Sequence, residues 1–170
     1  AAMTCGKKCI AGGPGNPPVV VDETAHIEQA AQRIISGASF DNNVICSDEK
    51  EVVAVASICD RLKQEMKRSG GYEITSAQLS KLEKVIFTDG GAHINKEWVG
   101  KNAALILRAA GINAPEETRL GFCEVPESHP LVQHEQLMPI MPIVRVKDIA
   151  EAIATARRAE HGYGHTSVIY

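Results

Sequence analysis

Three residues far apart in this chain carry side chains suited to covalent and proton chemistry at positions a ligand could reach: Cys46, Glu135 and His165. Cys46 lies in Phe40-Asp41-Asn42-Asn43-Val44-Ile45-Cys46-Ser47-Asp48-Glu49-Lys50. Asparagine competes locally with the backbone for hydrogen bonds, so Asn42 and Asn43 end a helical pattern and deliver the thiol just past the break. A loop there can present a sulfur to an electrophile, and amide side chains with backbone N–H groups nearby can receive an oxyanion. A free cysteine serves equally well as a small apolar packing residue. Glu135 taken alone reads as a solvated loop carboxylate, and His165 as a strand-start residue bonded to a neighbour. Only a fold that converges these loops makes one site of them, and in a doubly wound sheet that site is expected beyond the carboxyl ends of the strands.

The remaining titratable candidates have plainer readings. His26 sits on a helical pattern, while His93, His129, His134 and His161 fall in turns open to water. Cys59 and Cys123 fall on helix and strand patterns, where packing accounts for them. Cys5 and Cys9 form a C-x3-C pair with no second pair to complete a tetrahedral metal site, so no metal is expected. Five cysteines without regular spacing make no disulfide framework, which suits a reducing compartment and a cytoplasmic protein.

A chain of 170 residues is long enough for one domain with a substantial core. The net charge of -3, with both signs interspersed, offers no basic face for nucleic acid and no polybasic strip for a membrane. No apolar run approaches the roughly 20 residues that cross a bilayer.

The elements that must position the loops alternate between strand and helix. A short opening helix leads to a breaker-rich turn from Cys9 to Pro18, read as structural, and then to the buried strand Val19-Val20-Val21-Asp22. Thr24 is expected to cap a helix with the stripe Ile27, Ala30, Ala31, Ile34, Ile35. Residues 51–56 form a strand, and Ile58, Leu62 and Met66 mark a helix ended by Ser69-Gly70-Gly71. A helix over 76–87, a turn at 89–93 and a long helix capped by Asn95, anchored by Trp98 and running to Gly111, follow. Residues 118–125 make a strand, the proline-rich stretch 126–142 an irregular segment, and 143–146 a strand. A helix over 148–160, with Ile149, Ala152, Ile153 and Ala156 inward, ends at a glycine cap, and a last strand starts at His165-Thr166. This βα alternation predicts a three-layer α/β/α domain with a mostly parallel sheet. Both ends of the chain read as cut within an element.

The cysteine segment, preceded by Gly15-Asn16-Pro17-Pro18-Val19-Val20-Val21-Asp22-Glu23-Thr24-Ala25 and followed by His134-Glu135-Gln136-Leu137-Met138-Pro139 and Tyr163-Gly164-His165-Thr166, resembles the CoA-acylating aldehyde dehydrogenases. It is most similar to the acetaldehyde and propionaldehyde dehydrogenases of ethanolamine and propanediol utilisation, then to the aldehyde half of bifunctional aldehyde–alcohol dehydrogenases. The resemblance implies that Cys46 attacks a short aliphatic aldehyde, that the thiohemiacetal passes hydride to NAD or NADP, and that CoA takes the acyl group from the thioester. It implies that Glu135, with Leu137 beside it, holds the nicotinamide ribose. His165 is expected to orient cofactor or accept the CoA thiol proton, and Asn42 and Asn43 shape the loop.

Hydrolytic relatives carry a glutamate base before their Gly-Gly turn, where Ala11 stands here, and water needs such a base more than a thiol does. The resemblance further implies that residues 1–16 end a preceding nucleotide-binding domain and its connecting turn, and that 17–170 form the catalytic domain, truncated at its C-terminal end. The fragment alone is then inactive. The parent enzyme is expected to be a homo-oligomer, in the cytoplasm or within a bacterial microcompartment. The alternatives are a non-acylating aldehyde dehydrogenase that yields free acid, or an interaction or oligomerisation module without catalysis.

Overall fold

A computed structural model describes residues 5–10 and 13–170. The opening helix expected from residue 1 falls partly outside them, and residues 5–10 form bends and irregular chain instead of a helix. Ala11 also lies outside the described residues.

Six strands form one parallel sheet in the order β3-β6-β7-β2-β1-β8. They are β1 (Pro18–Val21), β2 (Glu51–Val55), β3 (Gly71–Glu73), β6 (Leu120–Glu124), β7 (Ile140–Val146) and β8 (Val168–Ile169). Strands β4 (Phe87–Thr88) and β5 (His93–Ile94) form a separate antiparallel hairpin. The helices are α1 (Ile27–Ala38), α2 (Ala56–Arg68), α3 (Ser76–Ile86), α4 (Ala103–Ala109), α5 (Pro130–Gln133) and α6 (Ile149–Ala159).

Alternation along each strand divides the core into two layers. Val19, Val21, Val52, Ala54, Phe122, Met141 and Ile143 pack with the Ile27, Ile34 and Ile35 stripe of α1 and with Leu62 and Met66 of α2. Val20, Val53, Cys123, Ile140 and Val144 pack on the other face against Leu82 and Ile86 of α3, Ile106 and Leu107 of α4, and Ala152, Ala156 and Ala159 of α6. Strands buried on both faces read as continuous apolar runs, which is why Val19-Val20-Val21 and Val52-Val53-Ala54-Val55 carry no polar alternation. The expected α/β/α architecture is the observed one. Among the described residues no helix is long and apolar enough to cross a membrane.

Several boundaries differ from expectation. Thr24 does not cap α1: its N–H and hydroxyl bond the Asp22 Oδ1 at 2.8 and 2.6 Å, and α1 starts after His26 without a side-chain cap. The long helix after Asn95 is broken. Asn95 caps only the 3-10 turn Lys96–Trp98, and a left-handed Gly100 (φ 70°) separates it from α4. Ile153 of α6 is 46% exposed, because α6 buries a stripe of Ala152, Thr155, Ala156 and Ala159.

Strand β7 starts at Ile140, within the proline-rich segment, and passes through Pro142. The carbonyl of Lys50, two residues before Val52, which pairs with Ile143, takes the Gln136 side-chain amide at 3.1 Å where a residue other than proline at 142 would offer an N–H. The final strand is shorter than expected and begins at Val168. His129 is not solvated: its Nδ1 caps α5 by accepting the Leu131 N–H at 3.2 Å, and its Nε2 lies 2.7 Å from Glu83.

Candidate active site

The chain enters β1, β2, β7 and β8 through segments that carry Gly15, Cys46, Glu135 and His165 respectively. These four positions therefore share the amino ends of four adjacent parallel strands. Sequence reasoning placed the crevice at the carboxyl ends, and the structure reverses that. The carboxyl ends of β3, β6 and β7 carry instead an ionic network in which Arg145 bonds Glu124 and Asp60, and Lys63 joins Asp60, Glu73 and Glu124.

Beyond α1 the backbone turns through three consecutive left-handed residues, Asp41, Asn42 and Asn43 (φ 43°, 54° and 64°). Asp and Asn tolerate this region better than other residues with a Cβ, so the sequence Asp-Asn-Asn is what allows so tight a reversal. The Asn43 amide donates to the carbonyls of Ala38 and Glu49 at 2.8 and 2.9 Å, stitching the end of α1 to the start of β2. The Asn42 amide donates to the Gly100 carbonyl and Asn102 Oδ1 at 3.0 and 2.9 Å. Both amide N–H2 groups are thus engaged, that of Asn43 within the connection and that of Asn42 to the segment ahead of α4. An oxyanion is left to backbone donors, of which the Cys46 N–H has no acceptor among the described residues.

Cys46 is exposed. Beneath it lies Lys50, 1% exposed, whose ammonium donates to the Asn43 carbonyl at 2.8 Å, to Asn43 Oδ1 at 2.7 Å and to the Ile45 carbonyl at 3.0 Å. Burial pulls the Lys50 ammonium below the ordinary lysine range, opposed by the charges of Glu135, Asp48, Cys46 and Glu51.

Gly15 is the meeting point. A Cβ there would lie 3.0 Å from the Cys46 carbonyl oxygen and 3.3 Å from the His165 ring. Its N–H faces the Glu135 carboxylate. Burial raises the Glu135 carboxyl above the usual range, countered by Lys50, the Gly15 N–H and His165. His165 is exposed, with Nδ1 2.8 Å from Thr166 Oγ1 and its backbone N–H bonded to Glu160 at 3.1 Å. Leu137 holds a left-handed backbone (φ 52°) that a branched side chain rarely adopts, and its carbonyl accepts the Gly100 N–H at 3.0 Å. Glu135 and Leu137 line a cleft of about 690 Å³ with His93, Lys96 and Val99.

Cys46, Glu135 and His165 thus converge around one glycine. Sequence reasoning missed Gly15 and Lys50. The first reads along the chain as part of a structural turn, although a glycine beside Pro14 and Asn16 is a signal of close approach. The second stands immediately before a fully buried strand, a place where a lysine needs a special reason.

No family model matches the chain. It is 45% identical over 168 residues to the acetaldehyde dehydrogenase (acetylating) EutE of Salmonella typhimurium, covering 96% of this chain and 36% of that protein. Among solved structures it superposes with a TM-score of 0.92 on an engineered glycolyl-CoA reductase with bound NADP+, at 45% identity, covering 99% of this chain and 38% of that one. The propionaldehyde dehydrogenase of Rhodopseudomonas palustris, solved with bound CoA and an acylated cysteine, gives a TM-score of 0.92 at 44% identity, over 99% of this chain and 38% of that one. The fold is that of the aldehyde dehydrogenase catalytic domain. In sequence the chain is a homologue of the acylating aldehyde dehydrogenases, and it spans about 36% of the length of the curated relative. The Cys46 loop is an entrance to a strand rather than an exit from one, so helix C-termini, not N-termini, point toward it.

Proposed function

We propose that the chain is the cysteine-bearing part of an enzyme that oxidises a short aliphatic aldehyde with NAD+ or NADP+ and transfers the acyl group to CoA. The single observation that carries this reading is the convergence of Cys46, Glu135 and His165 around Gly15. Similarity to proteins that act on acetaldehyde and that hold CoA, NADP+ or an acylated cysteine supports it.

The Cys46 sulfur, as thiolate, adds to the aldehyde carbon, and the new oxyanion is received by the Cys46 N–H. The bound nicotinamide nucleotide supplies the hydride acceptor. A half-buried Glu135 at the mouth of an open cleft fits a ribose diol, which a carboxylate can accept from through both oxygens, and Leu137 packs beside it. Cys46 then carries the acyl group as a thioester until the CoA thiol displaces it, with His165 placed to accept that thiol's proton. On this reading residues 1–16 close a nucleotide-binding domain and 17–170 belong to the catalytic one. Homo-oligomerisation and enclosure in a bacterial microcompartment accompany it.

The enzyme in its relatives' full length, mixed with acetaldehyde and NAD+, is expected to form NADH continuously only when CoA is present, with acyl-CoA as product. Equal NADH formation without CoA, with free acid as product, would reject the acylating reading in favour of a hydrolytic one.

A further inference from the structure

A thiolate at this place has little help from the helices. Helix C-termini carry partial negative charge, and α1 and α6 both end toward the site, before the Cys46 loop and before His165. The anions are also close: Glu135 and Asp48 face Lys50, and Asp41 faces Asp48. Against them stands one buried cation, Lys50, whose three N–H donors all go to the six-residue stretch ahead of Cys46, at Asn43 and Ile45. A lysine needed only to fill space would be a costly choice at a site 1% exposed.

We propose that Lys50 is a positioning residue with two duties: it fixes the Cys46 loop through these hydrogen bonds, and it stabilises negative charge on the Cys46 sulfur. The inference rests on the reading of Cys46 as the nucleophile and adds the group that makes the thiol usable. Proximity of an ammonium favours the thiolate, and the thiolate is the form that attacks carbonyl carbon. His165, whose ring meets the Cys46 carbonyl at Gly15, is the other basic side chain of the cluster, and Glu135 is the anion that competes for the Lys50 charge.

The test is the rate of iodoacetamide alkylation as a function of pH, read at each cysteine by peptide mass spectrometry, in the wild-type chain and in Lys50→Met and Lys50→Gln. In both variants the Cys46 midpoint is expected to rise by about one pH unit, which slows its labelling about tenfold at neutral pH. Cys5 and Cys9 act as internal controls and keep their rates. A folded variant, by far-ultraviolet circular dichroism, with the wild-type Cys46 midpoint would overturn the proposal, since a merely structural lysine leaves the midpoint in place. Should both variants unfold, Asp48→Asn decides. Asparagine keeps an acceptor for the Ile45 N–H, now bonded to Asp48 at 3.2 Å, while removing one anion that faces Lys50. The Cys46 midpoint is then expected to fall, and an unchanged midpoint sinks the idea. A wild-type Cys46 that labels no faster than Cys5 and Cys9 at any pH would overturn the nucleophile reading itself, and the role of Lys50 with it.

Discussion

The absence of a side chain at Gly15 lets the carbonyl of Cys46 and the ring of His165 approach the same point. A methyl group there would force one of them to shift by a few tenths of an ångström, and catalytic geometry tolerates such errors poorly. In the full-length enzyme Gly15→Ala is therefore expected to lower kcat about tenfold or more with little loss of stability. Steady-state kinetics beside a thermal melt separates the two effects. Cys46→Ala is expected to abolish hydride transfer, measured as NADH formation in a single turnover, and normal activity would remove its assigned role. Glu135→Gln keeps the shape but loses the carboxylate, so the KM for the nicotinamide nucleotide should rise more than that for the aldehyde.

Two features of the elements themselves are open to measurement. Gly71 begins β3 where a Cβ would meet Ile35 Cδ1 at 2.8 Å, the Met66 carbonyl oxygen at 2.9 Å and Phe122 Cε1 at 3.0 Å. The backbone oxygen cannot step aside, so Gly71→Ala should destabilise the fold by about 1–3 kcal/mol, read from urea midpoints. At the start of β2, Glu51 is fully buried, and neither carboxylate oxygen has a hydrogen-bond partner among the described residues. Burial pushes its carboxyl well above 4.5, with Lys50 opposing and Glu160 adding to the shift. The folded state then holds a proton that the unfolded chain releases, so stability is greatest below the ordinary glutamate range and falls as pH climbs above it. Glu51→Gln, neutral at every pH, should flatten this decline when urea midpoints are compared at roughly pH 5 and pH 8.

At the level of the whole domain the two ends of the sheet have opposite characters. The amino ends gather the exposed Cys46 and His165 and the half-buried Glu135, with Phe40, Val44 and Ile45 left open in the Cys46 loop. The carboxyl ends are tied by Arg145 to Glu124 and Asp60, and the paired guanidinium holds the Glu124 carboxyl down at about 2. A depressed carboxylate contributes stability above its ordinary value of 4.5, which is lost as pH falls toward 2. Glu124→Gln should make the acid limb of the unfolding curve shallower over that interval, whereas the loss of Glu51 alters only the limb above it. Acid titration followed by circular dichroism distinguishes the two.

The amino-acid sequence by itself determined the layers and the reversal of the chain ahead of Cys46. Apolar runs such as Val19-Val20-Val21 can only be strands covered on both faces, stripes such as Ile27-Ala30-Ala31-Ile34-Ile35 can only be helices laid upon them, and Asp41-Asn42-Asn43 can reverse the chain where bulkier residues cannot. Local signals also misled where longer-range contacts prevailed. Gly100 breaks the helix expected after Asn95, with its N–H bonded to the Leu137 carbonyl, and Pro142 joins a central strand because Gln136 supplies a donor to the Lys50 carbonyl. What only the tertiary structure decided is which end of the sheet holds the site. Cys46, Glu135 and His165 are separated by dozens of residues, and their meeting depends on strand order and direction, which no spacing along the chain encodes. The same holds for Lys50, whose charge acquires meaning only once the fold has taken it out of water and closed a loop over it.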